Sequence, residues 1–195
     1  MSAPRAANAG RDWDAAVYDR VADPQEAWGR EVLARLPLSG DETVLDAGCG
    51  SGRVTDLLLE RLPHGRVIGV DASPAMVEVA RERLGERAEL RTGDLTGLDL
   101  EMPVDAVFSN AVFHWIPDHD LLFDRLYAIL RPGGRLAAQC GAHGNAASIR
   151  EATRTTYDQP AFAGLARPPA DTWNFATGEE TAERLRAAGF SEVEA

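Results

Sequence analysis

A glycine-rich turn between an apolar run and a helical pattern constrains the fold of this chain more than any other feature. Residues 44–53 read VLDAGCGSGR, so Gly48, Gly50 and Gly52 follow a short apolar run and precede Arg53. Glycine lets a ligand approach the backbone closely, and the amides at the start of a helix attract an anion. We therefore expect a buried strand, a ligand-binding turn and a helix, in that order.

Short β-rich runs and stretches of helical periodicity alternate along the chain from Thr43 onward. This alternation is typical of βαβ units, and it predicts a doubly wound, mostly parallel α/β sheet with helices on both faces. One or two further helices are predicted outside the sheet, in Trp13–Arg35. The predicted strands are Thr43–Ala47, Arg66–Asp71, Ala88–Thr92, Val104–Asn110 and Arg135–Gly141. The predicted helices are Arg53–Leu62, Pro74–Leu84, Asp118–Leu130, Ala147–Tyr157 and Glu179–Ala188.

Residues that favour helix ends and turns punctuate this pattern. Ser73 precedes Pro74, and proline has no amide to lose at the first position of a helix. Thr177 and Glu180 have the spacing of a capping box. The sequence Pro132-Gly133-Gly134 predicts a turn that leads into strand five.

An acidic residue ends the second predicted strand. Asp71 follows the glycine turn by about 20 residues, the spacing at which a carboxylate meets the hydroxyls of a bound ribose. A nicotinamide enzyme remains an alternative on these features, although Arg53 stands where its pattern has a third glycine. A purely structural turn is a second alternative. No GK[ST] follows, which excludes a nucleotide-triphosphate P-loop.

Composition restricts the partners of this chain. It carries 31 acidic and 20 basic residues, a net charge of −11, and therefore repels nucleic acid and anionic membranes. Hydrophobic residues make up 45% of its 195 residues, enough for one core, and we expect one domain with an N-terminal addition. We find no signal-peptide pattern and no apolar run long enough to span a membrane, and we expect a cytoplasmic protein.

Cysteine and histidine give no metal-binding pattern. We interpret the two cysteines, Cys49 and Cys140, as buried free thiols because both lie in apolar, strand-like surroundings. The histidines have neither HExxH nor paired ligand spacing, so no metal site is predicted. They are His64, His114, His119 and His143.

Five motifs resemble, in order, those of class I S-adenosylmethionine-dependent methyltransferases: VLDAGCGSGR, VIGVDASPAMVEVAR, RTGDL, DAVFSNAVFHWIPD and LRPGGRLAAQ. The resemblance covers Trp13 to about Phe190. Within that superfamily, SNAVFHWIPDH and the glutamine after PGGRLAA are most similar to the trans-aconitate 2-methyltransferase group. The resemblance implies a Rossmann-like methyltransferase fold, S-adenosyl-L-methionine as cofactor and a small-molecule acceptor.

The resemblance also implies which residues contact the cofactor. For Met76, packing in a helix core is an alternative to adenine contact, and for Asp94 an ordinary turn is the alternative. The implied contacts are Asp46, Gly48, Gly50 and Gly52 for the methionyl part, Asp71 and Ala72 for the ribose, Met76, Asp94 and Leu95 for the adenine, and Asn110 for the floor.

Candidate acceptor-site residues lie beyond strand four and after strand five. His114 is either a general base or a wall of the acceptor pocket, and Tyr18 either closes over the cofactor or is structural. Trp115, Trp173 and Phe175 offer apolar contact or core packing. Any one of Arg150, Arg154 and Arg167 is a candidate to pair with an acidic acceptor.

Three activities are compatible with these residues. The first is methylation of a carboxylate of the trans-aconitate type, which needs no general base because the acceptor is already ionised at neutral pH. The second is methylation of a hydroxyl or amine of a natural product. The third is cofactor binding without transfer, which the retained Asp46, Asp71 and Asn110 argue against.

The domain organisation follows from the same pattern. We expect a helical lid segment in residues 1–42, a cofactor-binding domain in residues 43–195 and a variable acceptor-site segment in residues 142–176. The resemblance implies a C-terminal β-hairpin, and we expect Phe190–Ala195 to begin its sixth strand and the rest of the hairpin to be lacking. Either the chain is a shortened form of a longer protein, which we favour, or a partner or a local segment covers the edge of strand five. We expect five parallel strands, with the residues after Gly189 loosely anchored or irregularly paired, and self-association if the edge is open.

Overall fold

The computed structural model describes residues 23–162, 164–166 and 173–195. These residues form one five-stranded parallel sheet with helices on both faces, the α/β class predicted from the sequence. The strands are β1 (Thr43–Ala47), β2 (Arg66–Asp71), β3 (Glu89–Thr92), β4 (Val104–Asn110) and β5 (Leu130–Gln139). The helices are α1 (Asp23–Arg35), α2 (Arg53–Glu60), α3 (Pro74–Leu84), α4 (His119–Ala128), α5 (Ala147–Tyr157) and α6 (Gly178–Ala188).

The strand order places a ligand crevice at the centre of the sheet. The strands lie in the order β3-β2-β1-β4-β5, so the chain reverses its direction of travel between β1 and β4. These two strands pair in parallel, with Asp46 opposite Phe108. At such a switch point the connections leave the carboxyl ends of neighbouring strands on opposite faces and open a crevice between them.

Alternation along the central strands divides the core into two layers. In β1, Val44 packs with one buried cluster and Leu45 with the other, as expected for neighbouring residues of a strand that is covered on both faces. Val32 and Leu33 of α1 belong to the cluster of Val44. Helix α1 therefore covers the same face of the sheet as α2.

Helix caps form as the sequence predicts. The Ser73 hydroxyl accepts a hydrogen bond from the amide of Met76 at 3.3 Å, directly ahead of Pro74. The side chains of Thr177 and Glu180 form a complete capping box. These caps satisfy amides that have no partner within the helix, which fixes the starts of α3 and α6.

Strand β5 begins earlier than predicted. Val104 pairs with Leu130, and the next pair joins Ala106 to Arg135. The Pro132-Gly133-Gly134 sequence therefore forms a bulge inside the strand instead of a turn before it, and β5 ends at Gln139 instead of Gly141. The start predicted at Arg135 was wrong because β5 pairs with β4 both before and after the bulge.

Several other boundaries were also predicted wrongly: α6 begins at Gly178 instead of Glu179 and β3 at Glu89 instead of Ala88, and α2 and α4 differ by more. Helix α2 ends at Glu60 instead of Leu62, because a tight turn begins at Arg61 and Pro63 cannot continue a helix. Helix α4 begins at His119, after its cap Asp118, and ends at Ala128 instead of Leu130. Its end is set by sheet pairing, because the carbonyl of Ile129 already accepts a hydrogen bond from the amide of Val104.

Residues 190–195 form no strand, so the start of a sixth strand predicted there was wrong. The tail is anchored all the same. Phe190 meets Tyr127 edge to face at 5.2 Å, and Phe190 and Val193 pack against the main core cluster. Loose anchoring was thus a wrong expectation for these two side chains. Strand β5 does lie at the edge of the sheet, and self-association through it stays a prediction.

Among the helices of residues 23–162, 164–166 and 173–195, none combines the length and apolar character that a membrane crossing requires.

Candidate functional site

A narrow cleft with a cavity volume of about 50 Å³ opens at the carboxyl ends of β1 and β4. Four residues predicted from the sequence line it: Asp46, Gly48, Gly50 and Asn110. The opposite wall comes from α1, which contributes Gln25 and Glu26. The switch point therefore holds a cleft between the glycine turn and α1, and the lid role predicted for the N-terminal segment stays a prediction.

The glycine turn requires glycine for two different reasons. Gly48 has φ +89°, and a Cβ placed there would lie 2.1 Å from Cγ2 of Val112. Gly50 has φ +53°, and a Cβ there would meet nothing within 4 Å. Gly48 is thus needed for close packing, whereas Gly50 combines an unusual backbone with open space.

Most amides of the turn already have acceptors within the protein. The amides of Gly48 and Cys49 both donate to the carbonyl of Val70, and the amide of Gly52 donates to Cys49. The amide of Gly50 donates to Oδ2 of Asp71 at 2.9 Å. These four amides are therefore not available to an anion; the amides predicted to attract one belong to the start of the following helix, and that role stays a prediction.

Asp71 holds the turn from the end of β2. Its Oδ2 accepts the amide of Gly50 and its Oδ1 accepts the amide of Ser73, both at 2.9 Å. Burial raises the pKa of the Asp71 carboxyl, although these two hydrogen bonds oppose the rise. A carboxylate oxygen is able to accept two hydrogen bonds. Each oxygen of Asp71 accepts one of these bonds from the protein, so the group retains acceptor capacity for ligand hydroxyls.

Asp46 is a buried acid that lacks a cation partner among the described residues. Only 2% of it is exposed, and its Oδ2 accepts a hydrogen bond from the hydroxyl of Thr55 at 2.7 Å. Burial raises the pKa of Asp46 to about 7, and the nearby carboxyl of Asp71 adds to the rise. A positive ligand group beside it would favour the ionised form and relieve this cost.

Three amide oxygens near the cleft are buried and accept no hydrogen bond from the described residues: Gln25 Oε1, Asn110 Oδ1 and Gln139 Oε1. The orientation of Asn110 is fixed, because its Nδ2 donates to the backbone carbonyl of Gln25 at 2.8 Å. Buried oxygens without partners are costly in a folded protein. Gln25 and Asn110 line the cleft, and a ligand that brings hydrogen-bond donors there would satisfy their oxygens.

These features fit the cofactor that the sequence resemblance implies. The methionyl ammonium of S-adenosylmethionine is a positive group with N–H donors, which suits Asp46 and the unpaired oxygens of Gln25 and Asn110. Its ribose hydroxyls suit the remaining acceptor capacity of Asp71. The donor and acceptor sets of the cleft and of the cofactor are thus complementary.

Of the other predicted contacts, Gly52, Asp71 and Ala72 do not line the cleft, and neither do the three residues assigned to the adenine. Met76 and Leu95 are buried, with exposed fractions of 3% and 5%. Oδ1 of Asp94 accepts hydrogen bonds from the amide and hydroxyl of Thr96, as in an ordinary turn. Ala72 is exposed beside Asp71. Their contacts with the cofactor stay predictions.

His114 lies beyond β4 as a neutral ring with a fixed proton position. Its Nδ1 accepts a hydrogen bond from the amide of Gly141 at 3.1 Å, so the proton of the neutral ring is on Nε2. Burial and the neighbouring His119 lower the pKa of His114 to about 4. At neutral pH this side chain therefore offers a donor and no free base.

Aromatic side chains extend the wall from His114. The ring of Phe175 stacks on His114 at 5.6 Å, and Trp173 stacks on Phe175 at 5.7 Å. Trp115 contacts both His114 and Trp173. The structure thus brings the four predicted aromatic and imidazole groups into one cluster.

The candidate arginines differ in their partners. Arg154 pairs with Glu151 at 2.7 Å, whereas the guanidinium of Arg150 lies over the rings of Phe175 and Trp173. Arg167 and Tyr18 lie outside the described residues, and so does the first part of the predicted lid segment.

The described residues contain free cysteines and no cluster of metal ligands. Cys49 is buried and Cys140 half-buried, and both are free. Across the described ranges, the acidic, thiol and imidazole side chains form no group of three that is able to hold a metal ion.

Sequence reasoning missed the residues that α1 contributes. Glu26 accepts hydrogen bonds from Nε and Nη2 of Arg53 at 3.2 and 2.9 Å, and Asp23 accepts a third at 2.9 Å. Gln25 carries one of the unpaired oxygens. The one available signal was Arg53 itself, which stands where a dinucleotide site has glycine and ties α1 to the start of α2.

Comparisons with known proteins agree with this geometry. Residues 44–134 match the family model of a methyltransferase domain. Trans-aconitate 2-methyltransferase of Methylobacterium nodulans is 39% identical over 178 residues, which are 91% of this chain and 69% of that protein. The protein of the same name from Azoarcus sp. is 46% identical over 127 residues, 65% of this chain and 50% of that protein. The alignments thus span about half to two thirds of these relatives.

Solved structures share the fold at lower identity. Phosphoethanolamine N-methyltransferase 2 of Haemonchus contortus, in complex with S-adenosyl-L-methionine, has a TM-score of 0.74 at 24% identity, covering 92% of this chain and 42% of that one. Mitomycin 7-O-methyltransferase has a TM-score of 0.65 at 21% identity, covering 87% and 49%. Since these two proteins are named for nitrogen and oxygen acceptors, the shared fold does not determine the acceptor.

Proposed function

Because this chain belongs to the class I S-adenosylmethionine-dependent methyltransferases, in the group of the trans-aconitate 2-methyltransferases, we propose that it methylates a carboxylate of a small acid of the trans-aconitate type. S-Adenosyl-L-methionine is the cofactor of this family. The observation that carries the carboxylate acceptor is the state of His114, whose Nδ1 already accepts the amide of Gly141.

The cleft residues divide the work of holding the cofactor. Asp46 and the oxygens of Gln25 and Asn110 would receive the methionyl ammonium, and Asp71 would receive the ribose. Helix α1 would exclude water from that side, because Gln25 and Glu26 form the wall of the cleft. When bound, the cofactor supplies an electrophilic methyl group that a carboxylate oxygen accepts without losing a proton.

The acceptor side has to orient a carboxylate, since positioning is the main contribution to an in-line transfer. A carboxylic acid is ionised at neutral pH and needs no general base. His114 has its proton on Nε2, and a pKa of about 4 keeps the ring neutral. We infer that Nε2–H donates to the acceptor carboxylate and that His114 removes no proton. His114 therefore provides no general base for a hydroxyl or amine acceptor.

A transfer assay with methyl-labelled cofactor tests this proposal. The protein is incubated with trans-aconitate, a phenol and an amine of similar size, and we expect label only in the acid, as a base-labile methyl ester. Label in the phenol or the amine would contradict the carboxylate acceptor. Binding of S-adenosylhomocysteine without transfer to any compound would indicate a non-catalytic binding protein.

A second assay tests the role of His114. We expect His114→Ala to lower kcat/KM for the acid about tenfold, the cost of one hydrogen bond to a charged group. At saturating cofactor, which should keep Asp46 ionised, we expect the wild-type rate to show no ionisation between pH 6 and 8.5. A loss of 100-fold or more at unchanged cofactor affinity, with a rate that rises through neutral pH, would show that His114 is a base.

A further inference from the structure

A second cavity, of about 350 Å³, lies between the first turn of α5 and residues 173–175. Arg150 is the arginine that lines it, and Trp173 and Phe175 form its aromatic wall. The guanidinium carbon lies 5.2 Å from the ring centre of Phe175 and 5.9 Å from that of Trp173. Stacking on aromatic faces orients the planar guanidinium without using its N–H donors.

Two arginines on α5 provide an internal comparison. Arg154 is held by Glu151 through two hydrogen bonds of 2.7 and 3.2 Å. Arg150, about one turn earlier, has no carboxylate partner among the described residues. The net charge of −11 does not attract anions, but no acid of the described residues neutralises Arg150, so its local positive charge remains available to one.

This cavity adjoins the wall of His114. Phe175 stacks on both Arg150 and His114, so its ring lies between the two polar groups. The amide of Asn174 also donates to the carbonyl of His114 at 2.8 Å. The segment that carries Trp173 and Phe175 is therefore fixed to the residues that follow β4, the strand that forms the floor of the cofactor cleft.

We propose that Arg150 binds a carboxylate of the acceptor that does not receive the methyl group, and thereby selects di- and tricarboxylates over monocarboxylates. The inference rests on the proposed function, because it assumes that the reacting group is a carboxylate near His114. A guanidinium matches a carboxylate with two parallel N–H donors, which gives both affinity and orientation.

Steady-state kinetics of Arg150→Gln and Arg154→Gln test this role. The probes are trans-aconitate and crotonate, an unsaturated monocarboxylate. For Arg150→Gln we expect KM for trans-aconitate to rise about tenfold or more, kcat to change less than threefold, and KM for crotonate to stay unchanged. Arg154→Gln, the matched control on the same helix, is expected to behave as wild type toward both acids.

Calorimetric titration of trans-aconitate in the presence of S-adenosylhomocysteine separates this inference from the proposed function. We expect wild type and Arg154→Gln to bind the acid with the same affinity, and Arg150→Gln to bind it at least about tenfold more weakly. Equal affinity and equal KM for all three proteins would overturn the role of Arg150 and leave carboxylate methylation intact. Arg150-dependent binding without methyl transfer would overturn the proposed function alone.

Thermal unfolding of the three proteins provides the folding control. Arg150 is exposed, so Arg150→Gln is expected to unfold at the temperature of wild type. Arg150→Lys keeps the positive charge and removes the planar fork, and we expect its KM for trans-aconitate to lie between those of wild type and Arg150→Gln. If wild type, Arg150→Lys and Arg150→Gln all have the same KM for trans-aconitate, carboxylate binding by this side chain is refuted.

Discussion

The buried acid Asp46 should make the ligand-free protein less stable as the pH rises. Its pKa is about 7 in the folded protein, whereas its ordinary value is 3.8. The folded state therefore holds an extra proton between about pH 4 and pH 7, and the free energy of unfolding falls as the pH rises through this window. At about 1.4 kcal/mol for each pKa unit, the full loss above pH 7 amounts to roughly 4 kcal/mol.

The variant Asp46→Asn removes this ionisation and retains an oxygen that accepts from the hydroxyl of Thr55. We expect the variant to be more stable than wild type by roughly 4 kcal/mol at pH 8.5, and by roughly 2 kcal/mol at pH 5.5. The assay is denaturant unfolding of the ligand-free proteins at both pH values. Asp99→Asn, which changes an exposed acid, is the matched control and should keep the slope of wild type.

Equal pH dependence in wild type and Asp46→Asn would refute the reasoning, because the slope would then belong to other groups. S-Adenosylhomocysteine offers a second check on wild type. Its ammonium should favour the ionised form of Asp46, so that binding releases a proton near neutral pH. Proton release measured by calorimetry in two buffers should disappear in Asp46→Asn.

Two further predictions concern Asp71 and the glycine turn. Asp71→Ala should weaken binding of S-adenosylhomocysteine by about 1–3 kcal/mol in calorimetry, because a charge-assisted contact to the ribose is lost; binding of NAD with comparable strength by wild type would contradict the assignment. Gly48→Ala should lower the free energy of unfolding by about 1–3 kcal/mol, because its Cβ would lie 2.1 Å from Val112, whereas Gly50→Ala, with φ +53° and open space, should cost less. An equal loss in both glycine variants, or no partial rescue of Gly48→Ala by Val112→Ala, would refute the packing argument.

The central strands and the glycine turn were predictable because their signals are local. The bounds of β1, β2 and β4 follow from short apolar runs, and those of α5 from helical periodicity. Asp71 follows the glycine turn by about 20 residues, which is the length of one helix and one strand in a βαβ unit. Their shared hydrogen bond at Gly50 spans 21 residues, the length of one such unit.

The remaining features depend on contacts between distant residues. The lid wall at Gln25 is positioned by Asn110, 85 residues away, and no local pattern indicates that pairing. The early start of β5 is set by its register with β4. Pro132 and the two glycines give the same turn signal before a strand as inside one, so the sequence does not distinguish the two cases. The proton position on His114 depends on the amide of Gly141, 27 residues away.

The hydrogen bonds that Asp71 makes to the amides of Gly50 and Ser73 have a thermodynamic consequence. Ordering a backbone residue costs about 1–2 kcal/mol of conformational entropy, and in this turn that cost is met on folding, before any ligand arrives. The recognition surface is therefore preorganised, and the affinity for a ligand need not be reduced by the ordering of the turn. If the hydrogen bonds to the Asp71 carboxylate were weakened, the turn would be less ordered in the free protein. Ligand binding would then have to order the turn, and the dissociation constant would rise.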